Sequence, residues 1–166
     1  MIFSQSAQAA LWFLVFATPI ALWVVWSDLR SMRIPNKAVL ALLAVFAVIG
    51  LVVLPTGQWG WAWLHFAVVL AIGFLLSLTG GFGAGDAKFA AAMAPFVALG
   101  DLRLFLALLG AVIISAFIAH RLLRIIGPVR RLAPHWESWQ RNEFPMGLAL
   151  GPALIFYLAL ASIYGS

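Results

Sequence analysis

Between Lys37 and Asp86 the sequence contains no aspartate, glutamate, lysine or arginine. A water-soluble domain does not present an uncharged stretch of that length, so this feature restricts the fold more than any motif does. The rest of the chain agrees with it. Hydrophobic residues make up 65% and charged residues 9%, against about 25% charged in soluble domains. Much of the surface must therefore use lipid as its solvent. The expected class is an all-α polytopic membrane protein, with residues 1–166 forming one membrane-embedded domain.

Runs of about twenty apolar residues read as transmembrane helices. Their breaks predict six spans: Ala9–Ser27, Asn36–Leu54 (closed by Pro55), Gly60–Leu78, Asp86–Leu99, Asp101–His120 and Met146–Tyr164. The N-terminus carries no basic residue before the first span, unlike a signal peptide, and reads as the lead-in to a retained helix. Gly127 and Pro128 are expected to end a helix that continues from span five.

The ten Lys and Arg outnumber the five Asp and Glu. That excess need not mean nucleic acid, because its placement has a simpler cause. Arg30, Arg33 and Lys37 lie between spans one and two, and Lys88 lies by the connection between three and four. Arg121, Arg124, Arg130, Arg131 and Arg141 lie between five and six. Only Arg103 is left for the other side. Positive loops stay in the cytoplasm, so both termini are expected outside, in a multi-pass protein of the bacterial inner membrane. Trp59, Trp61 and Trp63 sit where an outer aromatic belt would lie. His65 belongs with them as a belt or packing residue.

Span four is short. Its fourteen residues cover roughly 21 Å, against a hydrocarbon core of about 30 Å, and Pro95 should bend it. Either the bilayer thins there, or the helix starts below the membrane surface and holds Asp86 in a water-accessible cleft. Before it runs a glycine-rich linker, Gly80 to Gly83. The loop GPVRRLAPHWESWQRNEF mixes Arg with Trp136 and Trp139 and reads as an interfacial segment on anionic lipid. A substrate-facing role is its alternative.

With so few acids, each can be read separately. Asp101 follows Gly100 before an apolar run, as a helix N-cap would. Glu137 and Glu143 lie among arginines as solvated charge. Asp28 and Asp86 share one membrane depth, where ionisable groups are costly and usually functional. Taken singly, Asp86 could cap span four and Asp28 could pair with Arg30 or Arg33. Taken together, they suit general acid/base chemistry. Two close carboxylates do not both ionise, so one holds a proton while the other takes one from water. Gly83 and Gly85 would let the backbone approach a strand-like substrate. Lys88 either stabilises charge on the pair or snorkels to the interface. Pro35 and Asn36 start span two. Gly147 and Gly151 permit close helix contact or leave a slot for a substrate helix. A small proton- or cation-coupled transporter is the alternative use of the same aspartates. The absence of acids from the other spans, Asp101 apart, weighs against it.

These residues have a family pattern. The segment from Asp28 through Arg30 to Ile34, Pro35 and Asn36 has the form D-x-R-x-x-x-I-P-N. Gly83-Ala84-Gly85-Asp86 has the form GxGD, followed by Lys88. Pro145, Gly147 and Ala149 form P-x-G-x-A before the last span. In these motifs and in the order of its spans, the chain resembles the type IV prepilin peptidases, membrane aspartic proteases. The resemblance implies Asp28 and Asp86 as the catalytic pair, with no cofactor or metal. The implied substrate is a prepilin or pseudopilin, whose basic leader is cut at the cytoplasmic face before a hydrophobic helix. Larger members carry an N-terminal four-cysteine extension and methylate the product. This chain has no cysteine, so it resembles the short peptidase-only branch of tight-adherence (Flp-type) pilus systems, without methyltransferase activity.

Overall fold

The computed structural model describes residues 3–80 and 83–166. Seven helices follow in chain order: α1 (Ala7–Ser31), α2 (Asn36–Val53), α3 (Thr56–Leu78), α4 (Ala84–Met93), α5 (Leu102–Ile125), α6 (Gly127–Leu132) and α7 (Gly147–Tyr164). Among the described residues the only β pairing is a bridge between Phe3 and Gly165. Five helices (α1, α2, α3, α5 and α7) are long and apolar enough to cross a membrane.

The fourth expected span is not a helix of that kind. α4 has ten residues, about 15 Å at 1.5 Å per residue. It stops at Met93, and Pro95 falls in the 3-10 turn Ala94–Phe96. Proline lacks an N–H and its ring crowds the carbonyl four residues back, which disfavours the α-helix at this point, although α1 and α7 run through Pro19 and Pro152. A second 3-10 turn, Leu99–Asp101, leads into α5. The short helix and two turns still carry the chain from one end of the bundle to the other. Phe96, delivered by the first turn, meets Phe13 of α1 and Phe46 of α2 with ring centroids 4.9 and 5.4 Å away, at the centre of the core.

The tryptophans after Pro55 lie inside α3, which begins at Thr56, four residues before the expected start. Residues four apart share a helix face. Trp59 and Trp63 accordingly pack edge-to-face at 6.0 Å, and Trp63 meets Phe46 at 5.3 Å. Only Trp61, on another face and 69% exposed, keeps the outward position expected of a belt residue. His65 lines a cavity of about 300 Å³ with Ser4, Gln5, Gln58 and Ala98, at the end that holds both termini.

Asp101 occupies the N-cap position of α5, but its side chain makes no capping bond. It is fully buried and accepts hydrogen bonds from the Ser4 N–H at 2.6 Å, the Gln5 N–H at 3.0 Å and the Tyr157 hydroxyl at 2.9 Å. The Tyr157 oxygen in turn accepts from the Ala98 N–H at 3.1 Å. Asp101 therefore staples the N-terminal segment to α7. Asp101→Ala would strand those donors, at about 1–3 kcal/mol for each buried one. It is expected to destabilise the protein by roughly 3 kcal/mol in detergent unfolding. An unchanged melting temperature would remove the staple from the account.

Candidate active site

The end of the bundle away from the termini holds a cavity of about 790 Å³. The 1–2, 3–4 and 5–7 connections all contribute to its wall. Of the residues singled out in the sequence, Asp28, Asn36, Gly83, Gly85, Asp86 and Lys88 line it. Arg30 is exposed on the last turn of α1, and Pro35 is the N-cap of α2; neither lines the cavity.

Asp28 reaches the wall from α1 and is only 4% exposed. Its Oδ2 accepts a hydrogen bond of 2.7 Å from the backbone N–H of Gly147, the first residue of α7. The two helices touch there because Gly147 has no side chain. A Cβ on it would lie 2.9 Å from the Asp28 Cβ and 3.0 Å from Oδ2. One turn on, a Cβ at Gly151 would lie 2.9 Å from the Ala21 carbonyl oxygen and 2.8 Å from Val25 Cγ2. The pair of glycines thus serves close contact between α1 and α7.

Asp86 reaches the wall from the first turn of α4, where a negative charge is favoured by the helix dipole. Its carboxylate folds back over Gly83, the N-cap, so that a Cβ on Gly83 would lie 2.5 Å from Oδ2. The second motif glycine, Gly85, faces Ile34, with a built Cβ 3.6 Å from the Ile34 Cβ. The first glycine of GxGD therefore has a local steric basis, leaving room for the carboxylate, whereas a Cβ at Gly85 would make only ordinary van der Waals contact with the 1–2 connection. Ala87 packs on α3 at Gly73, where a Cβ would come within 2.9 Å of its own. Upstream, Gly80 turns the chain out of α3 at φ 75°, a left-handed conformation that glycine adopts freely. Gly81, within the expected linker, lies outside the described residues, as does Phe82.

Met32 closes α1 at φ 51°, with its N–H bonded to the Asp28 carbonyl at 2.9 Å. A left-handed conformation costs a non-glycine residue roughly 1–2 kcal/mol. Here it turns the chain so that Ile34 and Asn36 face α4. Lys88 Nζ donates to Asn36 Oδ1 at 3.4 Å and makes no ion pair with Asp86.

The connection from α5 to α7 also belongs to the site. Arg141, Glu143, Phe144 and Met146 line the cavity. Trp139, expected on lipid, is 5% exposed and stacks on His120 at 5.1 Å. Trp136 stacks on Trp139 at 5.6 Å and meets Trp26 of α1 edge-on at 6.2 Å. The Trp136–Trp139 part of the loop is thus packed against protein, while Arg130, Arg131 and Leu132 before it stay exposed, and Glu143 stands in the cavity wall as well as in solvent. No sequence signal pointed to the Gly147 N–H as a partner of Asp28, since a backbone donor has no letter of its own. The quoted Pro145–Gly147 motif was its nearest trace.

In comparison with known proteins, the sequence model of the type IV leader peptidase family matches residues 9–120. No curated protein and no solved structure matches significantly. The matched stretch runs through both aspartates and spans more than half of the 166 residues. On that match, the chain belongs to the type IV leader peptidase family.

Proposed function

We propose that this protein is an aspartic endopeptidase of the bacterial inner membrane that removes the basic leader from type IV prepilin-like proteins at the cytoplasmic face. One observation carries the reading: Asp28 and Asp86, from different helices, line a single cavity. Family membership supports a peptidase. The gathering of arginines and lysines at the cavity end supports a cytoplasmic site, by the positive-inside rule.

The chemistry follows from the pair. One carboxylate takes a proton from water, and the resulting hydroxide attacks the scissile carbonyl carbon. The other carboxyl gives its proton to the carbonyl oxygen. When the tetrahedral intermediate collapses, the C–N bond breaks and the leaving amine receives a proton from the pair. The shared proton belongs to both groups, so neither has a fixed role. The bundle end would leave the substrate's hydrophobic helix in lipid while its leader enters the cavity. Methyl transfer is no part of this scheme, and the protein falls in the short branch that serves tight-adherence pili.

Co-expression with small candidate prepilins tests the reading. The expected result is a size shift, with N-terminal sequencing finding a new terminus at the start of the hydrophobic helix. Prepilins that keep their leaders beside folded, membrane-inserted enzyme would overturn it.

A further inference from the structure

The segment before α7 is tied down on both sides, yet it places a free carboxylate in the cavity wall. Arg124 Nη1 donates to the Arg141 carbonyl at 2.9 Å, and Arg121 Nη2 donates to the Asn142 carbonyl at 2.8 Å. On the other side, the Phe144 ring packs edge-on against Phe117 at 5.7 Å and His120 at 6.0 Å. Pro145 is fully buried. The backbone is therefore fixed on both sides of Glu143, while the Glu143 side chain stays exposed.

The cavity's other charges are engaged or stand apart. Arg141 pairs with Glu137 at 3.1 Å, and Lys88 reaches Asn36. Arg33, the remaining cation of the wall, makes no ion pair with Glu143 among the described residues. Apart from Asp28 and Asp86, Glu143 is the only acidic residue lining the cavity among the described residues.

We propose that Glu143 is a specificity-determining residue that binds a lysine or arginine side chain of the peptide substrate. This rests on the peptidase reading above and adds a recognition point to it. An ionised carboxylate forms its strongest hydrogen bonds with ammonium or guanidinium groups. Holding the carboxylate's backbone in advance lowers the ordering cost of binding. Phe144 and Met146, beside it in the wall, offer apolar surface to the methylene stem of such a side chain. The geometry also sets a distance. Gly147, four residues on, is bonded to Asp28, and four residues span at most about 14 Å. An extended peptide rises about 3.3 Å per residue. The bound cation therefore lies within about four residues of the scissile bond.

The test uses the purified full-length protein and two synthetic leader peptides. One carries Lys within four residues of the cleaved bond, and the other carries Gln there. Wild type is expected to favour the Lys peptide in kcat/KM by about two- to fivefold, the scale of one exposed ion pair. In Glu143→Gln the ratio should fall toward one. In Glu143→Lys it should invert for a peptide with Glu at the same position. A ratio unchanged in both variants overturns the role of Glu143 and leaves the peptidase reading standing. Wild type that cleaves neither peptide overturns the peptidase reading, and this proposal with it.

Discussion

Asp28→Asn and Asp86→Asn are each expected to abolish detectable leader cleavage, a loss of roughly 10²–10⁴-fold for one general acid or base. The protein should remain folded in the membrane. Asparagine keeps nearly the same volume, and its oxygen can still accept the Gly147 N–H that Asp28 now takes at 2.7 Å. In the proposed mechanism the two carboxyls act as a unit, so the double variant should be about as inactive as either single one. Processing assays on membranes with matched enzyme levels would show this. Complete processing by either single variant would sink the two-aspartate mechanism.

The second large effect is expected from Gly147→Ala. The new methyl would lie 2.9 Å from the Asp28 Cβ, 3.0 Å from Oδ2 and 3.1 Å from Val24 Cγ1. Something must move, and the carboxylate is the part of the contact that a side-chain rotation can displace. A displacement near 1 Å at a catalytic group costs about 10²-fold in rate, which is the fall expected in turnover. Overpacking costs about 1–3 kcal/mol, while alanine in a helix recovers up to about 1 kcal/mol over glycine. Melting temperature should therefore change modestly. Gly151→Ala is the control: it meets Val25 Cγ2 at 2.8 Å on the same interface, away from Asp28. It also meets the Ala21 backbone carbonyl oxygen at 2.9 Å, which cannot swing aside, so it should lose at least as much stability without a comparable loss of turnover per folded molecule. Parallel losses in the two variants would reduce Gly147 to a packing residue.

The helices were legible because lipid imposes length and hydropathy on the chain, and breaks such as Pro55 mark the boundaries. The shortness of span four was legible for the same reason. Even so, the proline turn there delivers Phe96 to the core, which periodicity does not report. The six candidate residues that line one cavity sat in motifs beside the connections. Other features depended on contacts distant in sequence. Asp101 follows Gly100 as a cap would, but its partners Ser4 and Gln5 lie 97 and 96 residues earlier. Trp139 among arginines reads the same whether it faces lipid or His120, because an aromatic ring suits both. A helix start at Gly60 leaves Trp59 outside the helix; with α3 beginning at Thr56, the spacing of Trp59 and Trp63 puts both on one face, in contact with each other.

The Asp28–Gly147 bond has a consequence for biogenesis. It joins the first and last membrane helices across a sequence separation of 119 residues. At a synthesis rate of about 5–20 residues per second, roughly 6 to 24 s pass between the two ends of that bond. During that interval Asp28 has already entered the membrane without its backbone partner. A nascent chain therefore passes through most of its insertion before the site can be completed, and only docking of the final helix puts the proposed hydrolytic centre in working order.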